Sequence, residues 1–376
     1  MNKKITLGQF YTPSLISSAM VAMALNLLRL RPRNAIELAA GNGDLIKPLK
    51  IAVPDCNITA FDIDSENACI LKDSMDFRVY NKDSMEPLDF LGDIKFDLAL
   101  GNPPFLSKIN VDDFIKKIVK ENLNLDYELQ VNIRAELVFV SQYISILEND
   151  GILGIILPDS LLCGKSFRVF RKSLMNMWEI EKVVEIQGAP FAFTEAKTHI
   201  IYIRKCKPKL DWVEILCIDQ NGKGCKSLKI PKTLLIDRMD YSFFKNNLKK
   251  TKYIRKLGDY AVISRGRKTH KELLKSGANY LHSTHVSRYK IDKQNINSEL
   301  YICRVGARVV GKSFLYCGEP LEFSDCLYHL KFKDPKIKQD FYKHINSDEG
   351  LNQLKCMARG VCSKYLIIDD LKSFTF

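Results

Sequence analysis

The sequence lacks several features that would assign a function at once. Its 11 cysteines include no Cys-x-x-Cys pair, which argues against a zinc ribbon or a disulfide framework. No apolar run reaches the roughly 18 residues of a membrane span. The start, MNKKITLGQF, has no apolar stretch of the kind found in signal peptides. We therefore expect a cytoplasmic protein with reduced thiols, without a metal site and without a membrane partner.

Excess positive charge is absent from the first half of the chain. Residues 1–208 hold 25 Lys and Arg against 26 Asp and Glu, whereas residues 209–376 hold 32 against 18. The whole net charge of +13 therefore comes from the second half. This asymmetry favours a polyanion-binding module joined to a neutral one. A basic domain whose charge serves only solubility is the alternative.

Short apolar stretches alternate with helical ones in the first half, which predicts an α/β fold with a doubly wound, mostly parallel sheet. Helices are predicted over 14–30, 135–150 and 165–178, the first with Thr12 as N-cap and Pro13 at its first position. The last strand follows too closely for a crossover helix, so we expect it to be antiparallel at one edge. The seven predicted strands are NAIELAA, NITAFDID, DFRVYNKD, KFDLALGN, GILGIILPD, EKVVEIQG and THIIYIRK.

The amino-acid composition of the sequence changes near residue 207. Segments such as KCKPKLDW and QNGKGCKSLKIPK have the Lys, Pro and Gly content of surface connections. We therefore predict a catalytic domain over 1–206 and a connecting region over 207–250. A smaller α+β domain is predicted over 251–376.

The stretch DLALGNPPFLSK, residues 97–108, ends an apolar strand abruptly. Pro103 and Pro104 cannot donate to a sheet ladder, so the strand must stop at Asn102. Both prolines restrict the residue before them to extended angles. The sequence thus predicts a stiff turn that presents an amide side chain and the ring of Phe105 at the edge where α/β sheets bind ligands.

Three other strand ends carry groups suited to a nucleoside. ELAAGNGDL places Gly41 and Gly43 after the first strand, where the backbone can turn tightly and approach a ligand. FDID ends the second strand, with Asp62 as the better candidate for ribose hydroxyls and Asp64 as the reserve. NKDSM ends the third strand, where Asp83 could accept from an adenine amino group.

In this order, GQFYTP, ELAAGNGDL, FDID, NKD and GNPPF resemble the gamma-class N6-adenine DNA methyltransferases, which include the modification subunits of type I restriction systems. The resemblance covers roughly residues 7–205 and implies the seven-stranded sheet of S-adenosylmethionine-dependent methyltransferases. It implies these cofactor-binding residues: Tyr11 and Thr12 near the methionine group, Glu37, Gly41 and Gly43 around it, Asp62 at the ribose, Asp83 at the adenine, and Asn102.

The same resemblance implies how the target adenine is held. Asn102 and the Pro103 carbonyl would accept both hydrogens of the exocyclic amine, and Phe105 would stack on the base. The base must leave the duplex to be reached. After the sixth strand, Phe193 is the better match for a second aromatic, and Phe191 is the other. The implied catalytic residues are Asn102, Pro103, Pro104, Phe105 and Phe193.

The basic half resembles, more loosely, a single target-recognition domain of type I specificity subunits. The resemblance lies in YIRKLGDYAVISRGRK, YICRVGARVVGKS and GLNQLKCMARGVCSKYLIIDDLKSF. Basic residues stand there beside glycines that let the backbone approach phosphates. Most such residues fix position on the duplex and only a few read bases. The candidate DNA-binding residues are Arg265, Arg267, Lys268, Arg304, Arg308 and Lys312.

These interpretations together predict a sequence-specific DNA adenine methyltransferase of a restriction-modification or related defence system, with S-adenosylmethionine as cofactor. Double-stranded DNA is the expected partner, and a separate restriction nuclease is a possible second one. Both a monomer and a homodimer are compatible with the sequence. The alternatives are an RNA-base or protein-glutamine methyltransferase, and a non-catalytic DNA-binding subunit. PD at 158–159 with EAK at 195–197 also matches a divided nuclease pattern, which we attribute to chance because both pieces fall within the methyltransferase core.

Overall fold

A computed structural model of the chain describes residues 11–74, 76–126, 132–188, 197–248, 253–285, 298–306, 308–360 and 364–376. The chain forms two compact units, residues 1–241 and 242–376. No helix among the described residues is both long enough and apolar enough to span a bilayer. Residues 242–376 contain 26 Lys and Arg against 13 Asp and Glu, so the second unit alone accounts for the net charge of +13.

The strands of the first unit begin and end close to the apolar stretches of the sequence. They are β1 Asn34–Glu37, β2 Asn57–Phe61, β3 Arg78–Tyr80, β4 Phe96–Gly101, β5 Ile109–Asn110, β6 Asn132–Ile133, β7 Leu147–Pro158, β8 Glu179–Ile186, β9 Thr198–Arg204, β10 Trp212–Ile218 and β11 Leu228–Pro231.

The helices of this unit separate most of its strands. They are α1 Ser14–Leu27, α2 Ile46–Ala52, α3 Ser65–Ser74, α4 Asp113–Leu123, α5 Ala135–Ile146, α6 Asp159–Cys163, α7 Arg168–Met177 and α8 Lys232–Leu235, and α9 Tyr241–Leu248 begins at the boundary between the units. Short 3₁₀ turns cover Asp89–Leu91 and Lys165–Phe167.

Nine of these strands form one mixed sheet in the order β11-β10-β8-β9-β7-β4-β1-β2-β3. Neighbours are parallel except that β9 is antiparallel to β7 and β8, and β11 is antiparallel to β10. Strand order changes direction between β1 and β4, the kind of position where α/β sheets bind ligands. The core beneath includes Met20 of α1 and Leu98 of β4, both fully buried.

Two expectations about this sheet were wrong. All seven predicted strands are present, but the sheet has nine strands because residues of the expected connection supply β10 and β11. The antiparallel strand β9 lies inside the sheet, between β7 and β8, and not at an edge. Val213, Ile215 and Ile218 of β10 are almost completely buried, although Lys, Pro and Gly on both sides of the strand indicated a surface segment.

Buried polar side chains hold the added segment to the rest of the sheet. The Glu179 carboxylate on β8 accepts from the backbone N–H groups of Lys209 and Leu210, and pairs with Lys232 Nζ at 3.3 Å. Arg171 of α7 is fully buried and donates to the carbonyls of Ile236, at 2.9 Å, and Asp237, at 2.9 Å. Residues 205–241 are therefore an integral part of the first unit.

The second unit is built around a four-stranded antiparallel sheet in the order β12-β17-β14-β15, with β13 and β16 as a separate parallel pair. Its strands are β12 Ala261–Arg265, β13 Tyr280–Leu281, β14 Glu299–Cys303, β15 Ser313–Tyr316, β16 Glu322–Phe323 and β17 Leu327–Phe332. A 3₁₀ turn covers Ser283–His285, and the helices are α10 Leu257–Tyr260, α11 His270–Ser276, α12 Pro335–Ile345, α13 Asp348–Met357 and α14 Ile368–Lys372.

Truncation tests the assignment of β10 and β11 to the first unit. A chain that ends at Tyr241 should unfold cooperatively, whereas one that ends at Arg204 should be much less stable. The shorter chain loses the burial of Val213, Ile215 and Ile218 against the sheet, which is worth roughly 1.5–3 kcal/mol for each side chain. Urea denaturation followed by circular dichroism measures the difference. Equal midpoints for the two chains would show that β10 and β11 contribute little to the fold.

Candidate active site

An open cavity with an empty volume of about 940 Å³, including the part open to solvent, lies at the carboxyl ends of β1, β2 and β4. Clefts at this edge of an α/β sheet are typical ligand sites. The cavity is lined by Tyr11, Thr12, Glu37, Leu38, Ala39, Ala40, Gly41, Asp44, Asp62, Ile63, Lys82, Asp83, Ser84, Met85, Asn102, Pro104, Leu106 and Phe139.

Most of the residues predicted for the cofactor and the reaction meet at this cavity. Gly43, Pro103 and Phe105 lie beside it without lining it, and Phe105 is partly buried against the core. Phe193 and Phe191 lie outside the described residues. The predicted residues that do line the cavity are Tyr11, Thr12, Glu37, Gly41, Asp62, Asp83, Asn102 and Pro104.

Thr12 connects the first helix to the end of β4. The helix begins at Ser14 with Pro13 as its N-cap, so the predicted capping role of Thr12 was wrong. Its hydroxyl instead accepts a hydrogen bond from Asn102 Nδ2, at 3.1 Å. The Thr12 N–H donates to Asp44 Oδ2, also at 3.1 Å. Two strand ends thus hold Thr12, and Thr12 in turn orients the Asn102 amide.

The glycine loop after β1 depends on a backbone angle that favours glycine. Gly41 has φ of +52°, and a Cβ added there would lie 3.1 Å from the Tyr11 ring. The Gly41 N–H donates to Asp62 Oδ2, at 2.7 Å. Gly41 therefore lets the loop turn sharply between the ring of Tyr11 and the end of β2.

Asp62 has little hydrogen-bonding capacity left for a ligand. Besides Gly41, its carboxylate accepts from the Asp64 N–H at 2.8 Å and from Asn67 Nδ2 at 3.3 Å. A carboxylate has about four acceptor sites, so about one is left for a ligand hydroxyl. Asp64 does not line the cavity, and its Oδ1 accepts from the Glu66 N–H at the start of α3. Asp83 lines the cavity and its Oδ1 accepts from the Met85 N–H.

Three carboxylates meet on one side of the cavity. Glu37 is only 2% exposed, and its Oε2 has no hydrogen-bond partner among the described residues. Burial, together with the charges of Asp44 and Asp62, raises the pKa of Glu37 well above its ordinary value. Burial also raises the pKa of Asp44 and of Asp62. An acidic wall of this kind suits a ligand that carries positive charge.

Tyr143 of α5 supports the cavity from beneath, and sequence reasoning missed it. The Leu38 N–H donates to the Tyr143 hydroxyl at 2.8 Å, which joins α5 to the end of β1. A Cβ at Gly101 would lie 2.6 Å from that hydroxyl, so only glycine fits directly before Asn102. The Gly-Asn pair could have suggested a close contact, but its partner, 42 residues later, could not be read from the sequence.

The two halves of the supposed nuclease pattern do meet in the fold. Asp159 Oδ1 lies 3.8 Å from Lys197 Nζ, and Lys197 also pairs with Glu185 and with Asp240. Burial tends to lower the pKa of Lys197, but the three carboxylates raise it above its ordinary value. His199 Nε2 lies 3.0 Å from Asp159 Oδ1. These buried pairs join the ends of β7, β8 and β9, and Glu195 lies outside the described residues.

Residues 306–313 of the second unit, GARVVGKS, have the spacing of a phosphate-binding P-loop. They connect the antiparallel strands β14 and β15, and no helix follows. Backbone N–H groups at 306, 309, 310, 311 and 312 donate to carbonyls of the same unit. At these five positions the N–H groups are therefore already used within the unit and do not offer the cradle that holds a nucleotide phosphate in a P-loop.

The candidate DNA-binding residues differ in their surroundings. Arg265 pairs with Asp325 and Lys268 pairs with Glu322, whereas Arg304 is mostly buried against Asp325. Arg267, Arg308 and Lys312 are exposed. The six residues are thus not one uniform basic patch.

The buried carboxylate of Glu37 should make the stability of the protein depend on pH. Because its pKa is raised in the fold, the unfolded chain ionises first, and stability should fall as pH rises above about 4.5, by up to about 1.4 kcal/mol per pH unit. Glu37→Gln should remove this loss and stabilise the protein at pH 8. Urea denaturation between pH 4 and pH 9 measures it, with exposed Glu121→Gln as control. Identical pH profiles for wild type and Glu37→Gln would contradict the assignment.

The fold resembles that of a type IIG restriction endonuclease, BpuSI, with a TM-score of 0.54 at 13% identity over 96% of this chain and 57% of that one. In sequence, the type II methyltransferase M.HincII of Haemophilus influenzae is 26% identical over 227 residues, 59% of this chain and 41% of the relative. M.CvrRI of Paramecium bursaria Chlorella virus XZ-6E is 24% identical over 54% of this chain and 49% of the relative. The chain thus spans less than half the length of these relatives.

A family model described as the Eco57I restriction-modification methylase matches residues 38–193. The match begins directly after Glu37 and includes the glycine loop, Asp62, Asp83 and the Asn-Pro-Pro-Phe turn. Residues 38–193 are therefore similar to the methylases of the Eco57I restriction-modification type.

Proposed function

We propose that the chain transfers the methyl group of S-adenosylmethionine to the exocyclic N6 amine of an adenine flipped out of double-stranded DNA, within a restriction-modification or related defence system. The observation that carries the proposal is the Asn102 amide at the end of β4. It is held by Thr12 and borders an acid-lined cavity. The match to a restriction-modification methylase over the same residues supports the reaction class.

The residues around the cavity fit the proposed cofactor. Its sulfonium group supplies an electrophilic methyl, and its sulfonium and ammonium groups both carry positive charge. The acidic wall of Glu37, Asp44 and Asp62 offers negative charge to such a molecule, and Glu37 Oε2 is available for a donor. We assign one ribose hydroxyl to the remaining acceptor site of Asp62, and the adenine amino group to Asp83.

Asn102 and Pro103 would act on the target amine. The lone pair of that nitrogen is delocalised into the ring, so the amine is a poor nucleophile. Two acceptors, Asn102 Oδ1 and the Pro103 carbonyl, would bind both amino hydrogens and direct the lone pair toward the methyl donor. No strong base is needed before attack. Because Asn102 Nδ2 donates to Thr12 Oγ1, we assign the acceptor role toward the substrate to the amide oxygen.

The second unit would supply most of the affinity for DNA. Its excess of 13 positive charges is suited to the phosphate backbone, and binding through it should weaken steeply with salt. The first unit is electrically balanced and carries the reaction. Division of the two tasks between two units agrees with the separate compact folds of the chain.

Asn102→Ala should abolish methyl transfer while S-adenosylmethionine still binds, because other side chains hold the cofactor. We expect a loss of at least about 100-fold, as for removal of a preorganised hydrogen-bonding group at a reacting centre. Methylation of plasmid DNA and calorimetric titration of the cofactor measure the two properties. Asn57→Ala, an exposed substitution at the start of β2, is the control. Near-normal turnover by Asn102→Ala would show that Asn102 does not orient the target amine.

Phe105→Ala should weaken retention of the extrahelical adenine by roughly 1–3 kcal/mol, the scale of base–aromatic stacking. Phe105→Trp should keep substantial activity because it retains a flat π-face. Binding to duplexes with 2-aminopurine at the methylated position reports the flipped base. Thermal melting separates this effect from loss of packing, since Phe105 also contacts the core. Equal impairment of the alanine and tryptophan variants would rule out stacking.

A further inference from the structure

Three strand ends of the second unit meet at one edge of its sheet. Arg265 is the last residue of β12, Arg304 directly follows β14, and Asp325 stands two residues before β17. Because β17 runs antiparallel between β12 and β14, its beginning lies beside the ends of both. The antiparallel pairing thus brings two arginines to one aspartate.

Two oxygen atoms of Asp325, one of the main chain and one of the side chain, accept hydrogen bonds from Arg265. Arg265 donates from Nη2 to the Asp325 carboxylate at 3.0 Å and from Nε to its carbonyl oxygen at 3.3 Å. Arg304 donates from Nε to the same carbonyl at 2.6 Å, and its Nη2 lies 3.6 Å from the carboxylate. Arg304 therefore holds Asp325 in place, and Asp325 holds Arg265.

The burial of the three side chains gives them different roles. Arg304 is only 14% exposed and Asp325 22%, whereas Arg265 is 47% exposed. Arg304 is therefore a support within the unit, and Arg265 is the member that reaches solvent. Arg304, one of the residues predicted to contact DNA, is poorly placed for a direct contact.

The backbone around the pair is equally constrained. The Asp325 N–H donates to the Lys268 carbonyl at 2.8 Å, which ties the two segments together. A Cβ at Gly266 would lie 2.1 Å from the Ser324 carbonyl oxygen, so this glycine allows the segment after β12 to lie directly against residues 323–325. Arg265 is thus fixed through its main chain as well as its guanidinium.

The donors that remain on Arg265 match one base edge. A guanidinium carries five N–H donors, and Asp325 uses two of them. The outer edge, formed by Nη1 and Nη2, still offers two parallel N–H groups. Two parallel donors are the complement of guanine, which presents O6 and N7 as neighbouring acceptors in the major groove. An arginine already held in place loses less side-chain entropy when it binds.

We propose that Arg265 reads a guanine in the recognition sequence, and that Asp325 and Arg304 are positioning residues for it. This inference rests on the proposed binding of double-stranded DNA. Arg267, two residues further on, is exposed and has no ion-pair partner among the described residues. It is therefore the matched control, and we expect it to contact a phosphate. Lys268 is a poorer candidate, because it is paired with Glu322 and its ammonium group lacks the planar pair of N–H donors of a guanidinium.

The experiment selects duplexes from a randomised pool with the full-length protein, followed by sequencing of the bound fraction. This readout does not require methyl transfer, so an inactive enzyme would disprove the proposed reaction and leave the reading of guanine testable. Wild type should enrich a sequence that contains guanine. Arg265→Ala should lose roughly 5- to 150-fold of the preference at one G·C position and keep the preferences elsewhere.

The control variants separate reading from charge and from structure. Arg267→Ala should lower affinity for all duplexes alike and reduce the salt slope by about one, with the preferred sequence unchanged. Asp325→Asn should relax the same position as Arg265→Ala while affinity for random duplexes stays equal or rises, a result that a merely structural role would not give. Arg265→Lys should not restore the preference. Thermal melting should match wild type in the variants of Arg265 and Arg267, and S-adenosylmethionine binding should match wild type in every variant.

Three results would overturn the proposal. One is a wild-type preference without guanine, or no preference at all. Another is a uniform loss of affinity in Arg265→Ala with a smaller salt slope, which would make Arg265 a phosphate contact. The third is an unchanged preference in Asp325→Asn, which would remove Asp325 from the positioning of Arg265.

Discussion

The arrangement of the first unit around its cavity depends on the point at which β4 stops. Two prolines end the strand, and Gly101 lets it pass against the Tyr143 hydroxyl just before Asn102. Thr12, at the start of the first helix, then fixes the Asn102 amide. Because Asp44 holds the Thr12 backbone, the glycine loop after β1 and the turn after β4 share one support. A change in any of these contacts would move the amide relative to the cavity.

Charge is arranged in opposite ways in the two units. In the first, acidic side chains are buried around a cavity and total charge is balanced; in the second, basic side chains are in excess. Buried ion pairs such as Lys197 with Asp240 stabilise the fold only through good geometry, since burial of each charge is costly. The exposed arginines of the second unit do not bear that cost, and they are free to respond to salt and to a polyanion.

The seven predicted strands are present and most of the predicted site residues line one cavity, because the signals for them are local. Apolar runs, prolines and glycines are read within a few positions, and parallel strands bring their carboxyl ends to one edge. The features that could not be predicted depend on contacts between residues far apart in the sequence. They are the packing of Tyr143 against Gly101, the hydrogen bond from the Thr12 N–H to Asp44, and the position of Asp325 between two arginines. β10 and β11 were missed because their flanking Lys, Pro and Gly indicated a connection, whereas burial in the sheet outweighed that composition.

The acidic wall of the cavity also bears on how long the protein survives in a cell. Keeping Glu37 buried beside Asp44 and Asp62 destabilises the fold when its carboxyl is ionised. A cationic ligand that binds only the folded form stabilises it by about 2.7 kcal/mol at a hundredfold excess over its Kd. Since proteolysis acts on the unfolded chain, abundance of the protein should follow the supply of such a ligand. With the proposed methyl donor as that ligand, starvation for it would lower the amount of the protein as well as the rate of the proposed reaction.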